Sequence, residues 1–316
     1  MRSAAHLVEN YRFERLSHQG LTDLAWLYKA VYKKSLSLDY LAAKYDSVYT
    51  GHVFIGYIAY DQNGLPAAYY GVIPCFMSVS GVPLLAAQSA DTMTHPDHQK
   101  KGLFFELATM TYVLCRKEHI RLVYGFPNQN STTGLFKLNW QKIGELERFT
   151  FPVNTLPLEK IARQSVFSQK LYRRYAGIIL KKYIIENQNL TKFPTPSEHV
   201  VLLKSDQYIQ YKTYNESRTI KIGNACAWIK IQNGLIIGDI SGFDNDFEEV
   251  ILQLKKLCVK LGVHQLQFQE STKNRLHKLL KGHVDPAASF PIMIKDLGSG
   301  IDVSKIQFSF ADIDIF

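Results

Sequence analysis

The chain has 316 residues, of which 46% are hydrophobic, so it is long enough for two domains and can bury a sizeable core. This composition excludes wholesale disorder. The formal net charge is +9, which favours anionic partners such as a phosphorylated cofactor, a nucleic acid or a membrane surface without choosing among them.

The four cysteines are far apart in the sequence, and no two of them form a CxxC motif. Zinc and redox motifs are therefore not expected, and the thiols are interpreted as free and buried in a reducing compartment. The N-terminal stretch lacks the apolar core of a signal peptide, and no apolar run reaches the ~18–20 residues of a membrane span. We expect a cytoplasmic protein without an integral membrane segment and without a metal.

The first half of the chain predicts strands and helices in a defined order. A strand at YRFERLS precedes two helices, and Thr22 is a candidate cap of the first helix. Three strands follow, at HVFIGYIAYD, PAAYYGVIPCFMSVSG and VPLLAAQSADTMT. A helix that starts near Lys101, the strand RLVYGFP, a short helix and a last strand complete the region. Only this last part has parallel crossovers, so we predict an α/β (α+β) fold with a mixed central sheet flanked by helices.

Residues 157–187 differ in character from both halves. The segment predicts a helix, and no acid lies between residues 160 and 182 to oppose its basic side chains, which are Lys160, Arg163, Lys170, Arg173, Arg174, Lys181 and Lys182. It is interpreted as a basic helical linker, residues 153–194, with a solvated face. A surface for a membrane or a nucleic acid is the alternative.

The second half repeats the order of strands, amphipathic helix and strand. Its long helix has Asp246 near the start and Gly262 after the end, and the terminal IQFSFADIDIF alternates as an edge strand does. We therefore predict a duplicated fold, with domains at 1–152 and 195–316. The acidic stretch ISGFDNDFEE before the long helix would repel a phosphate, so the second copy is expected to be degenerate.

The stretch THPDHQKKGLFFEL, residues 94–107, joins a predicted strand to an amphipathic helix through a basic loop with one glycine. A helix start offers free N–H groups and a partial positive charge, so this arrangement suits an anion. Gly102 lets the backbone approach a ligand closely, and Lys100 and Lys101 add charge. A plain solvated turn is the alternative interpretation.

The loop, the helix, the strand VYGFPN and the turn NSTTGLFKLNW together resemble the GNAT superfamily of acyl-coenzyme A-dependent N-acyltransferases. The family's pyrophosphate loop, Gln/Arg-x-x-Gly-x-Gly/Ala, falls here on Gln99, Lys100, Lys101, Gly102, Leu103 and Phe104. The resemblance implies a GNAT-like fold and acetyl-CoA as co-substrate. Phe104 departs from the family's small residue, and Asn139 and Trp140 stand where glycine and an aromatic residue are typical.

The resemblance also implies roles for residues around the loop. The backbone of Met93 and Thr94 would bond the pantetheine arm, and Asn130 would contact it or cap the short helix. Asp91 is the candidate general base, with a strand-end carboxylate as its alternative role. His95 is a second candidate, with a plain exposed position before Pro96 as its alternative. The family's usual acid, a tyrosine, is replaced here by Leu135.

The function implied by the resemblance is acetyl transfer to a primary amine of a small molecule. The whole chain also resembles uncharacterised bacterial GNAT proteins associated with surface-polysaccharide synthesis, which implies an amino sugar as acceptor. Two alternatives stay open, an aminoacyl-tRNA-dependent transferase built from a tandem of the same fold and a non-catalytic coenzyme A-binding or scaffold protein. A tRNA-dependent enzyme generally needs no pyrophosphate loop, so the stretch HQKKGLF disfavours a nucleic acid as partner. A homodimer is an open expectation.

Overall fold

The computed structural model describes residues 8–184, 199–243 and 246–316, and the side chain of Asn130 lies outside this description. The chain divides into two compact units, Met1–Ile143 with Pro291–Lys305 (unit 1) and Gly144–Phe290 with Ile306–Phe316 (unit 2). These bounds differ from the predicted 1–152, 153–194 and 195–316, because each unit contains a strand from the other half of the chain. Residues 185–194 of the predicted linker lie outside the described residues.

Unit 1 is built in the predicted order of strands and helices. Its elements are β1 (Arg12–Arg15), α1 (Leu21–Tyr32), α2 (Leu38–Tyr45), β2 (Ile55–Tyr60), β3 (Pro66–Val79), β4 (Val82–Thr94), α3 (Leu103–Lys117), β5 (Leu122–Gly125) and α4 (Gln129–Lys137). The sheet order is β1-β2-β3-β4-β5, followed by β12 (Ala287–Asp296), whose end pairs antiparallel with β5. Only β4 and β5 are parallel, with α3 as the crossover between them.

The apolar face of α3 packs on the sheet of unit 1. Leu103, Leu107, Ala108 and Cys115 of α3 are buried in one cluster with residues of β2 and β3. This face follows the spacing of a helix with one apolar stripe, as the sequence predicted. Burial of this stripe fixes the direction of α3, and so the position of the loop before it.

Unit 2 contains the rest of the elements. They are β6 (Gln141–Pro152, from Gly144 onward), α5 (Leu158–Ala162), α6 (Val166–Leu180), β7 (Val200–Leu202), α7 (Asp206–Tyr211), β8 (Arg218–Ile222), β9 (Ala225–Ile231), β10 (Leu235–Ser241), α8 (Phe247–Leu261), β11 (Gln265–Ser271) and α9 (Arg275–Lys281). The sheet order is β8-β9-β10-β11-β6.

The two units share one topology. In each, antiparallel strands lead to a parallel pair bridged by a long helix, β4-α3-β5 in unit 1 and β10-α8-β11 in unit 2. The next strand is antiparallel and comes from the other half of the chain, β12 beside β5 and β6 beside β11. The predicted duplication of the fold is therefore present, with the last strands exchanged.

Three local predictions differ from the structure. Thr22 lies inside α1, whose first flanking residue is Gly20 and has no side-chain cap. The terminal stretch predicted as an edge strand forms a short 3₁₀ helix, Phe310–Asp312, because Ser309 and Asp312 make a reciprocal capping box. Strand β12 was not predicted, since Pro291 interrupts its pattern and proline is unfavourable within a strand.

Candidate functional site

The parallel strands of unit 1 pair over a short distance only. The ladder joins Ala86–Gln88 to Leu122–Tyr124 and stops there, while β4 continues to Thr94. Beyond Gln88, the side of β4 that faces β5 therefore has no strand partner among the described residues. The result is a cleft whose wall carries backbone N–H and C=O groups. Met93 and Thr94, the last two residues of β4, lie on this wall.

A β-bulge interrupts β4 within this cleft. Tyr69 of β3 is opposite Met93 and Gly71 is opposite Ala90, so β4 has one extra residue in the interval. Asp91 sits in the bulge with φ of 51°, a left-handed conformation that aspartate tolerates better than most residues.

The Asp91 carboxylate is held from α2. Its Oδ2 accepts a hydrogen bond from the Tyr45 hydroxyl at 2.8 Å and lies 2.6 Å from Nζ of Lys44, which is buried. The Tyr69 hydroxyl is buried nearby, and the Tyr45 and Tyr69 rings meet edge to face. Burial first, and then the Asp91 charge, raises the pKa of Tyr45 well above its ordinary value, so Tyr45 is a neutral donor. The carboxylate therefore has a fixed place at the bulge.

The predicted anion loop has the geometry of a concave donor surface. Lys100 has φ of 61°, and Gly102, the residue that flanks the start of α3, has φ of 83°. The backbone N–H groups of residues 100–104 donate no hydrogen bond to any described residue. Five consecutive donors at the positive end of a 15-residue helix have the arrangement that suits an anion.

Phe104 occupies a place that leaves this loop open. Its ring meets Tyr70 edge to face at 5.8 Å and lies where a Cβ on Gly134 would stand, 2.8 Å away. The side chain therefore turns between α3 and α4 and packs against the core rather than over the loop. Leu103 is buried, Lys101 is half-buried, and Gln99 and Lys100 are exposed.

The two histidines of the loop contact other elements of unit 1. The His95 ring is stacked on Trp26 of α1, with ring centroids 5.7 Å apart, and accepts a hydrogen bond from the Asp97 N–H. His98 contacts the Tyr11 hydroxyl at 2.8 Å, and burial followed by the nearby Lys101 charge lowers its pKa. His95 therefore lies on the α1 side of β4, near the bulge in sequence but held by a stacking partner.

The start of α4 is capped by a residue other than the predicted one. Asn128 Oδ1 accepts a hydrogen bond from the Ser131 N–H at 3.1 Å, which is the geometry of a helix cap. Asn130 lies inside α4, and its side chain is outside the described residues. Leu135 is buried in the core, so α4 supplies no hydroxyl at that position. Asn139 has φ of 58°, which explains why glycine is typical there.

A buried chain of polar groups reaches the apex of the cleft and was not predicted. Trp140 Nε1 donates to the Tyr112 hydroxyl at 2.8 Å, Tyr112 and Tyr70 hydroxyls are 2.9 Å apart, and Ser89 Oγ donates to Tyr70 at 3.1 Å. Burial raises the pKa of Tyr112 to about 12. Ser89 follows Gln88, the last residue of β4 that pairs with β5. These hydrogen bonds therefore fix the Ser89 hydroxyl at the point where β4 and β5 part. These residues are far apart in sequence, and no local pattern indicates their contact.

The corresponding place in unit 2 is filled by the chain itself. The ladder between β10 and β11 stops at Ile237 and Phe268. Beyond it, Ser271 N–H donates to the Phe308 carbonyl at 3.0 Å, and Glu270 and Ser309 form an antiparallel bridge. A Cβ on Gly238 would collide with the Phe316 ring, which packs directly against this glycine. Residues 308–316 therefore occupy the position that is an open cleft in unit 1.

Charged groups close this filled cleft. Lys204 contacts the carboxylates of Asp239 and Asp312 and donates to Ser309 Oγ at 3.0 Å. Glu270 is buried beside them, and its Oε1 has no hydrogen-bond partner among the described residues. Burial first, and then the Asp239 charge, raises the pKa of Glu270 well above its ordinary value. Glu270 is therefore the neutral member of the cluster.

We expect Glu270→Gln to gain stability relative to the wild type as pH rises. The pKa of Glu270 is raised in the folded state, so its contribution is complete below the unfolded value of ~4.3 and is lost as pH rises through the folded pKa, at most ~1.4 kcal/mol per pH unit. Glutamine stays neutral and removes this loss. Melting temperatures of both proteins from pH 5 to 9 check this, and a constant difference between them would contradict it.

In the described part of the chain, no group of three His, Cys, Asp or Glu side chains could hold a metal ion, and no helix is long and apolar enough to cross a membrane.

Comparisons with known proteins bear on the fold and on the family. Residues 12–141 match the family model of the acetyltransferase (GNAT) domain. No curated protein matches the chain in sequence.

Solved structures match nearly the whole chain. A GCN5-related N-acetyltransferase from Kribbella flavida matches with a TM-score of 0.58 and 12% identity, over 91% of this chain and 72% of that one. One from Anabaena variabilis has a TM-score of 0.54 and 10% identity, over 91% and 73%. One from Sphaerobacter thermophilus has a TM-score of 0.52 and 12% identity, over 94% and 99%. At these identities the matches establish a shared fold, which includes both units.

Proposed function

We propose that this chain, in which residues 12–141 match the family model of the GNAT acetyltransferase domain, is an acyl-CoA-dependent N-acyltransferase that transfers an acetyl group from acetyl-CoA to a primary amine. The observation that carries the proposal is the run of free N–H groups at residues 100–104, placed where the cleft beside β4 meets the start of α3. Coenzyme A has the matching chemistry, because a pyrophosphate accepts several hydrogen bonds and a pantetheine arm can pair with a strand edge.

The residues of the loop and of β4 would divide the binding of coenzyme A. The N–H groups of residues 100–104 would donate to the pyrophosphate, and Gln99, Lys100 and Lys101 would surround it. The backbone of Met93 and Thr94 lies along the cleft wall, where it suits the amide groups of the arm. Asn130 stays a predicted contact from α4. The proposal assigns one coenzyme A to each chain, because residues 308–316 fill the cleft of unit 2 and Glu248 and Glu249 lie in the first turn of α8.

Acyl transfer from a thioester to an amine requires removal of one proton from the amine and release of a thiolate. Asp91 is proposed as the group that takes the proton, since it lies in the bulge of β4 within the cleft. Its Oδ2 lies 2.6 Å from Nζ of the buried Lys44, so the proton would be taken up beside a cation. Leu135 removes the usual tyrosine, so the thiolate leaves without an acid from α4.

The acceptor is proposed to be an amino sugar that enters from the α1 side. Trp26 and Tyr32 of α1 are about half exposed, with Trp26 stacked on His95 and the Tyr32 hydroxyl bonded to the Thr92 carbonyl at 3.2 Å. Exposed aromatic rings beside the bulge suit the apolar face of a sugar ring, and they place His95 next to the acceptor. A panel of amino sugars, polyamines and aminoacyl-tRNA, assayed for free thiol release from acetyl-CoA, tests this assignment.

Coenzyme A and acetyl-CoA are expected to raise the melting temperature of the protein. A ligand at ~100 times its dissociation constant adds ~2.7 kcal/mol to the free energy of unfolding. Thermal shift and calorimetric titration measure this effect. Pantetheine, which lacks the pyrophosphate, is the control ligand. If millimolar acetyl-CoA neither shifts the melting temperature nor gives heat of binding, the acyltransferase proposal is wrong.

We expect Asp91→Asn to lower kcat while leaving the affinity for coenzyme A unchanged, because the carboxylate acts on the amine and not on the cofactor. The melting temperature should fall as well, since buried Lys44 loses its counter-ion.

Lys44→Met is the matched variant for this experiment. It breaks the same ion pair and retains the carboxylate at residue 91. An equal loss of kcat in both variants would mean that the pair only positions the bulge, and would contradict a base role for Asp91.

A further inference from the structure

Helix α6 of unit 2 has apolar side chains on a face that points to solvent. Phe167, Leu171 and Ile178 are 78%, 62% and 73% exposed. Their spacing of four and then seven residues puts them in one row along the helix, which is about 22 Å long at 1.5 Å per residue. Val166 and Ile161 extend the apolar area, at 71% and 52% exposure. We call the row of Phe167, Leu171 and Ile178 the outer face.

The outer face is exposed although the helix is firmly seated. On the opposite side, Ala176 and Leu180 are buried in the core of unit 2. The Tyr172 hydroxyl donates to the Leu261 carbonyl at 2.9 Å, and the Tyr175 hydroxyl donates to the Lys260 carbonyl at 2.6 Å. These contacts fix the rotation of α6 about its axis. Exposure of the outer face is therefore a property of the folded unit and not of a loose helix.

Cations surround the outer face. Lys160, Lys170, Arg174, Lys181 and Lys182 are exposed and form no ion pair with a described residue. In the same segment, Arg163 pairs with Glu159 and Arg173 with Glu216. On the helical wheel, Lys170, Arg174 and Lys181 lie within about one residue position of the apolar row. The surface thus combines exposed apolar side chains with positive charges that no described acidic side chain neutralises.

We propose that α6 binds the surface of an anionic lipid bilayer, with the outer face in the interfacial layer and the surrounding cations among the headgroups. Apolar side chains that enter the interface and lysines that reach the phosphates are the two contributions on which peripheral helices rely. An anionic leaflet attracts each nearby Lys or Arg, and the five free cations supply this attraction. The inference does not depend on the proposed acyltransferase activity.

Two other occupants fit the observations less well. A second copy of the chain would place the same five cations opposite one another across a two-fold interface, which is electrostatically unfavourable. A nucleic acid would satisfy the cations and could stack a base on Phe167, but it would leave Leu171 and Ile178 against phosphates. A bilayer satisfies both kinds of side chain at once.

Sedimentation of the full chain with vesicles tests the proposal. We expect binding to phosphatidylcholine vesicles that contain phosphatidylglycerol, weak binding to pure phosphatidylcholine, and loss of binding at high salt. The double variant Phe167→Ser/Ile178→Ser should lose at least tenfold in partition, and Lys170→Gln/Lys181→Gln about tenfold or more, from ~1 kcal/mol per cation. Leu252→Ser/Val259→Ser on α8, where both side chains are about half exposed, is the matched control and should bind as the wild type does.

A fluorescence variant reports the depth of the outer face. The emission of Phe167→Trp, after subtraction of the wild type, should shift to shorter wavelength on anionic vesicles, while that of Leu252→Trp should not. Circular dichroism and melting temperature confirm that each variant is folded. The proposal is overturned if all variants sediment equally or if the protein does not bind anionic vesicles. It is also overturned if light scattering shows a dimer that Phe167→Ser abolishes, or if the protein binds RNA and the Phe167→Ser/Ile178→Ser variant still does.

Discussion

Gly102→Val is expected to abolish binding of coenzyme A while the protein stays folded. Gly102 has φ of 83°, which a β-branched residue reaches only with strain, so the loop must change its backbone conformation. The N–H groups of residues 100–104 would then no longer converge. The fold survives because, among the described residues, an added Cβ meets the Val8 side chain alone, at 3.7 Å. Calorimetric titration with coenzyme A, together with the melting temperature of the free protein, measures both effects.

Gly64→Val separates backbone strain from loss of the anion site. Gly64 has φ of 77° with no described atom near its Cβ position, and it lies in the turn between β2 and β3. This variant should lower the melting temperature about as much as Gly102→Val and should bind coenzyme A normally. Lys100→Ala should weaken binding by about fivefold or less, the effect of one exposed charge at a helix start. If Lys100→Ala abolishes binding and Gly102→Val does not, the loop is a surface charge cluster.

The sequence predicted the parts of the site that depend on local pattern. The strand VPLLAAQSADTMT, the basic loop and the stripe of α3 follow one another in the chain, so their order alone places Gly102 at a helix start. A positive φ at this glycine follows from the same local geometry. The side chain of Phe104 was the uncertain element, and its contact with Tyr70 and Gly134 depends on packing between elements.

Contacts between distant residues could not be predicted in the same way. Lys44 meets Asp91 because α2 crosses the bulge of β4, and the bulge itself is a mismatch of one residue between two long strands. Periodicity does not report such a mismatch, because each strand alone still reads as extended. The exchange of β6 and β12 has the same origin, since the partner of a strand depends on topology and not on its own residues.

The filled cleft of unit 2 shows how one topology supports two different roles. Both units have a parallel pair of strands that stops early, which is a backbone feature that both halves share. In unit 1 the loop beyond it carries free donors. In unit 2 the chain returns as residues 308–316 and uses those strand groups itself. Because residues 308–316 satisfy the backbone groups of this cleft, no ligand is needed to do so. Unit 2 therefore needs no basic loop at the start of its long helix.

Lys204→Met is expected to cause the largest loss of stability. Lys204 is the cation that contacts Asp239 and Asp312, beside the buried Glu270. Without it, the buried Asp312 and the partly buried Asp239 lose this cation, and removal of one partner of a buried ion pair costs ~3–5 kcal/mol. For a unit of this size, this corresponds to a fall in melting temperature of roughly 10 °C. The penalty should shrink at acidic pH, because burial raises the pKa of Asp312 and protonation removes its charge. Arg173→Gln, which breaks an ion pair with both side chains 62% exposed, is the control and should shift the melting temperature little. If the two variants lose the same small amount, the cluster does not hold residues 308–316 in the cleft of unit 2.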